Sequence, residues 1–227
     1  MNVAKKEIST FEGMQFVISY PNEYRFEEKY PVILFLHGAG SRGKKIESLL
    51  ENPYFQITDR HNKFPFVTVA PQCHADTWFD LFEVLERFVK AIATMPFADS
   101  DRIYLMGASM GGYATWQLAM SMPEYFAAII PICGGGMYWN ASRLMNVPIW
   151  AFHGEKDKMV LPEESVKMIN AVNRSGGHAK LTIYPDNAHD AWSDTFSNSE
   201  LYKWFLQFEN KNELIITDKY DNTGDFG

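Results

Sequence analysis

The chain has 227 residues, 46% hydrophobic, 15% aromatic and 22% charged, enough apolar material for one large domain core. Its 28 acidic against 21 basic side chains leave a formal charge of -7, which opposes nucleic acid and anionic membrane surfaces as partners. Two cysteines, Cys73 and Cys133, are too few for a disulfide framework and stand in no metal-ligand spacing, so they read as buried thiols. Residues 1–11 are charged and polar, without the apolar core of a signal peptide, and no apolar run reaches about eighteen residues. A cytoplasmic location without a transmembrane helix is the expectation, although a secreted form trimmed of its signal has the same composition.

After that polar start, apolar and polar residues alternate from Met14 to Tyr20, the pattern of a half-exposed strand near a sheet edge. Val32 to Leu36 is fully apolar, and Phe66 to Ala70 is another such run but for Thr68, as strands buried on both faces of a parallel sheet are. Trp78 to Met95 has helical periodicity, with Phe82, Leu85, Phe88, Val89 and Ile92 on one face. The strand Ile103 to Met106 and a helix from about Met110 to Met120 follow. Ala127 to Cys133 and Pro148 to His153 are further strands. Pro162 opens a helix in its first turn that runs to about Arg174. Leu181 to Tyr184 is a last strand, and Asp194 to Phe208 carries apolar residues at the spacing of one final helix. Strands and helices alternate over short connections, which predicts an α/β domain with a mostly parallel sheet.

Between a strand and a helix lies Gly107-Ala108-Ser109-Met110-Gly111, the G-x-S-x-G pattern of a nucleophile elbow. Such a turn strains the serine backbone and leaves little room beside it, which the flanking glycines answer. In a parallel sheet, reactive groups gather beyond the carboxyl ends of the strands. Ser109, Asp157, His189 and His37-Gly38-Ala39-Gly40 each follow a predicted strand there. Asp157 stands ahead of Glu155, Asp186, Asp190 and Asp194 because it closes a tight Gly-containing turn straight after a buried strand. His178 precedes its strand and so falls at the opposite sheet edge, which leaves His189 as the base. His37 reads as a stabiliser of its loop, His153 as a buried hydrogen-bonded group, and His61 and His74 as solvated loop residues.

Leu36-His-Gly-Ala-Gly40, Gly107-Ala-Ser-Met-Gly-Gly112, His153-Gly-Glu-Lys-Asp157 and Asn187-Ala-His-Asp190 together resemble the α/β-hydrolase superfamily. Within it the chain is most similar, from about Met14 to Phe208, to the branch of small carboxylesterases, feruloyl and acetylxylan esterases and dienelactone-hydrolase-like proteins. The resemblance implies an α/β-hydrolase fold: a mostly parallel central sheet, helices on both faces and no large cap domain. It implies one catalytic domain over residues 1–210, with 211–227 a partly disordered tail. Ser109 would be the nucleophile, His189 its base, and Asp157 the carboxylate that orients the imidazole. The backbone N–H groups of Met110 and Ala39 would form the oxyanion hole, with Gly38 and Gly40 letting that loop turn. Dienelactone hydrolases proper place Cys at the nucleophile, so Ser109 departs from them and points to ordinary ester chemistry.

The short span from Cys133 to Val147 has no room for a lipase lid. Trp78, Trp139 and Trp192 lie near strand ends, where an aromatic either stacks on a sugar or phenyl ring or packs in the core around the triad. Trp116 and Trp204 sit at core spacing on helices. The leading reading is a serine carboxylesterase for short-chain or aryl esters of feruloyl or acetyl type, carbohydrate-linked ones included. A serine peptidase or amidase of prolyl-oligopeptidase-like type is the alternative, and a non-catalytic binding protein on the same fold is a third. No cofactor or metal is implied, since Gly134 to Gly136 lack the G-x-G-x-x-G spacing and no ligand cluster appears. Oligomeric state is not legible.

Overall fold

Alternating residues of the strands feed two separate hydrophobic cores, one on each face of an eight-stranded sheet. Val32, Leu34 and Leu36 enter one core, while Ile33 and Phe35 enter the other. The computed structural model describes residues 5–61 and 64–210. Its strands are β1 (Lys6–Phe11), β2 (Met14–Ser19), β3 (Tyr30–Leu36), β4 (Val67–Pro71), β5 (Ala98–Ala108), β6 (Ala128–Ile132), β7 (Ile149–Gly154) and β8 (Ala179–Tyr184). They lie in the order β1-β2-β4-β3-β5-β6-β7-β8. The pairs β1/β2 and β2/β4 are antiparallel and all later pairs parallel.

The helices are α1 (Pro53–Thr58), α2 (Phe82–Thr94), α3 (Met110–Ser121), α4 (Glu163–Arg174), α5 (Trp192–Ser197) and α6 (Ser199–Phe205). Leu85, Phe88, Val89 and Ile92 of α2 join Trp116 of α3 and Met168 of α4 on one face. Tyr54 of α1, Phe196 of α5 and Phe205 of α6 cover the other. Helix α3 is buried on nearly every side, which is why its sequence shows no polar stripe. The parallel strands place the β5–α3, β7–α4 and β8–α5 connections at one edge of the sheet, so their residues can meet. The β6–β7 connection holds a 3₁₀ turn, Tyr138–Leu144, and no inserted domain.

The structure corrects several expectations of the pattern. The polar start contains β1, an edge strand whose half-exposed residues carry little apolar signal. The helix expected from Trp78 begins as a 3₁₀ turn, Trp78–Leu81, capped by Thr77 and Asp80, before α2. The single helix expected over Asp194 to Phe208 is two, because the Asn198 side chain accepts the Glu200 N–H and starts α6 afresh. Pro162 precedes α4 instead of lying in its first turn. The tail expectation for 211–227 lies outside the described residues. Among those described, no helix is long and apolar enough to cross a membrane.

Candidate active site

Ser109 has φ 55 and ψ -116, a left-handed conformation that costs a non-glycine residue of order 1–3 kcal/mol. The surrounding fold imposes it: β5 delivers the chain centrally in the sheet, the Ser109 N–H donates to Ile132 O at 2.8 Å, and α3 departs at once. The hydroxyl is thereby lifted clear of the backbone at the sheet edge.

Ser109 Oγ lies 2.8 Å from Nε2 of His189, which the β8–α5 loop supplies. Nδ1 of His189 lies 2.7 Å from Asp157 Oδ2. Because that oxygen only accepts, Nδ1 carries the ring proton and Nε2 presents its lone pair to the serine. Oδ1 of Asp157 accepts the N–H groups of Met159 at 2.9 Å and Val160 at 3.0 Å. Burial raises the Asp157 carboxyl, but the His189 hydrogen bond and these two amides outweigh it, so it is held below the usual carboxylate range. The loops of His189 and Asp157 are fitted closely. A Cβ on Gly154 would stand 2.0 Å from Ala188 O, so only glycine lets the β8–α5 loop rest on the end of β7. Of the competing acids, Glu155 and Asp190 are exposed, and Asp186 pairs with Lys156 in solvent.

Across the site runs the His37–Arg42 loop. Its backbone N–H at Ala39 opens a 3₁₀ turn, Ala39–Ser41, and that of Met110 opens α3. First-turn amides have no acceptor within their own helix and are free to donate to a ligand. His37 fixes the loop: Nε2 accepts the Cys73 N–H at 3.0 Å, and Nδ1 donates to Gly38 O at 2.7 Å. Arg42 ties the loop down, donating to Ala39 O at 3.1 Å and Asp76 O at 2.6 Å.

Burial pushes the His37 imidazole down from 6.5 to about 4, so it is neutral in the folded chain. The unfolded chain therefore binds a proton here between pH 6.5 and 4 that the folded chain refuses. Stability from this site is full above that window and falls as the pH drops through it, by about 3 kcal/mol. Urea unfolding from pH 7 to 4.5 should show the decline, and His37→Asn, which does not titrate, should flatten it. Equal slopes for the two proteins would exclude His37 as the source.

Of the three tryptophans proposed to meet substrate, Trp78 is corrected. It is fully buried, its Nε1–H donates to His37 O at 2.9 Å, and its ring packs on the His37 ring at 4.9 Å. It braces the loop and offers no surface to a ligand. Trp192 is half-buried and stands edge-on to the His189 ring at 5.2 Å. Trp139 is 72% exposed, with Tyr138 beside it, and Met159 and Leu161 of the β7–α4 loop are exposed as well. Gly40 adopts no left-handed backbone, so the loop does not require glycine there. Both cysteines are buried. Cys133, His153 and Asp157 converge with ligand-type atoms within 4.8 Å, a grouping the sequence reading did not foresee. Burial pushes the Cys133 thiol up to about 12, and Asp157 already accepts from His189, Met159 and Val160. The His153-x-x-x-Asp157 spacing was the available signal.

The family model described as the dienelactone hydrolase family matches residues 59–200, more than half of the chain. Dipeptidyl-peptidase 5 of Porphyromonas gingivalis is 26% identical over 238 residues, covering 82% of this chain and 34% of its own length. A thermostable esterase of known structure superposes with a TM-score of 0.74 at 30% identity, over 91% of this chain and 63% of that one. Est1E from Butyrivibrio proteoclasticus superposes at 0.69 with 15% identity, over 89% and 98% of the two chains, a likeness of fold alone. The chain thus spans about a third of the peptidase's length and less than two thirds of the esterase's.

Proposed function

This chain belongs to the dienelactone hydrolase family, and from that premise we propose that it is a serine hydrolase cleaving short-chain or aryl carboxylic esters through an acyl-enzyme on Ser109. The observation that carries the reading is the unbroken chain Ser109 Oγ, His189, Asp157, with links of 2.8 and 2.7 Å, mounted on a strained elbow. Ser109 Oγ attacks the ester carbonyl as His189 Nε2 takes its proton. Asp157 stabilises the imidazolium that forms, and the N–H groups of Met110 and Ala39 receive the developing oxyanion. His189 then passes its proton to the leaving alkoxide, and water repeats the sequence on the acyl-enzyme.

The exposed Trp139 favours an aromatic or sugar-borne ester, since a large solvated ring gains by stacking on a flat ligand. Such stacking is worth about 0.5–1.5 kcal/mol, so Trp139→Ala should lower kcat/KM for methyl ferulate about 2- to 10-fold and leave p-nitrophenyl acetate nearly untouched. An equal change for both esters would remove Trp139 from the substrate site. The 26% identity to a dipeptidyl-peptidase supports a second reading, peptide-bond cleavage by the same residues. Rates on p-nitrophenyl acetate, butyrate and octanoate, methyl ferulate and a dipeptidyl p-nitroanilide separate the two. Turnover of the anilide above that of every ester would replace the esterase reading by the peptidase one.

A further inference from the structure

We propose that His153 is a positioning residue for this site: by holding Val160, whose N–H binds the Asp157 carboxylate, and by standing beside Oδ2, it fixes the rotation that presents Oδ2 to His189. The proposal rests on the hydrolase reading only for its kinetic consequences. His153 is fully buried in β7, with Nε2 2.9 Å from Val160 O and 3.3 Å from Asp157 Oδ2. A backbone carbonyl and a carboxylate can only accept, so Nε2 carries the proton; it donates to Val160 O, and Asp157 Oδ2 lies beside it at 3.3 Å. Nδ1 lies 2.8 Å from Ser165 Oγ on α4, which itself lies 2.9 Å from Gly134 O. The ring is thus held at both nitrogens.

Both oxygens of Asp157 trace back to this imidazole. Oδ2 meets it directly, and Oδ1 meets it through Val160, whose N–H binds Oδ1 while its carbonyl faces His153. A strand-core position is ordinarily filled by an apolar side chain, and a polar one there leaves groups that must be satisfied. Here those groups are satisfied by Val160 O in the loop that carries the carboxylate and by Ser165 on the helix behind it. An aliphatic residue would fill the space but leave Val160 O without its donor, loosening the segment whose amides bind Asp157 Oδ1.

His153→Gln and His153→Asn separate positioning from packing, because the Gln amide nitrogen reaches the place of Nε2 while that of Asn reaches only Nδ1. Two readouts apply to the full chain: kcat and KM on p-nitrophenyl acetate, and the downfield proton resonance of His189 Nδ1–H without substrate. His153→Asn should lower kcat about 10- to 100-fold with KM within about twofold, the scale expected when a reacting group is slightly misplaced. Its resonance should move upfield and broaden, and His153→Gln should recover most of both. An unchanged resonance in His153→Asn, or a Gln variant no nearer wild type than Asn, overturns the proposal. Should His153→Asn not fold, Ser165→Ala frees Nδ1 and should broaden the same resonance, and an unaltered resonance there overturns the proposal too. A wild type inactive on esters would remove the esterase reading, while the resonance still decides the role of His153.

Discussion

Ser109→Ala should lower kcat on the preferred ester by about 10⁴- to 10⁶-fold, the scale on which loss of a catalytic serine acts, while the protein stays folded. The size follows from what the hydroxyl alone supplies. Among the described residues no other side chain bonds His189 Nε2, so without Oγ the base has only water to activate. The amides of Met110 and Ala39 proposed to receive the oxyanion are backbone groups and survive the change, so a residual rate above the uncatalysed one should persist. The strained backbone at φ 55 is common to Ser and Ala, which is why the unfolding midpoint should barely move. Steady-state rates and thermal unfolding of both proteins test this, with mass spectrometry of wild type quenched during turnover to locate the acyl group. A mutant rate within tenfold of wild type, or an acyl group elsewhere, would discard the mechanism.

What could be read from the residues and what could not divides along physical lines. Ser109 was legible because strain and crowding dictate the residues beside it, and those demands are written as fixed spacings. Asp157 and His189 were legible because a parallel sheet sends every reactive group to one edge, so position after a strand carries information. Trp78 misled for the converse reason: a tryptophan after a strand end can turn outward to a ligand or inward to a neighbour. Only the His37 carbonyl, distant in sequence, decides between them. The contact of His153 with Asp157 was equally hidden, since a histidine within an apolar strand shows no partner until the next loop folds back. The break at Asn198 was local chemistry overridden by apolar periodicity, which runs through α5 and α6 as though they were one helix.

Gly111→Ala should be the most damaging single methyl in the site. Gly111 is the second residue of α3, and a Cβ there would stand 1.9 Å from Leu36 O, 2.6 Å from Leu36 C and 2.9 Å from His37 O. Those are backbone atoms of the last residue of β3 and the first of the His37–Arg42 loop, so no side chain can swing aside to admit the methyl. Leu36 is also paired with Gly107 in the β3–β5 ladder, which ties it to the strand carrying Ser109. Relief therefore requires α3 to move away from β3, which separates the Met110 amide from the Ala39 amide. Close-packed interiors yield little to such demands, so a loss of stability beyond about 4 kcal/mol is expected. In whatever fraction folds, a displacement of about 1 Å between nucleophile and oxyanion donors should lower kcat about 100-fold. Gly40→Ala supplies the contrast for stability, since its Cβ would meet open space and its backbone is ordinary. Urea unfolding of the three proteins, followed by kcat on the folded material, measures both effects. A Gly111→Ala protein as stable and as active as wild type would mean that α3 and β3 are not in the contact described, and the oxyanion site built on that contact would have to be abandoned.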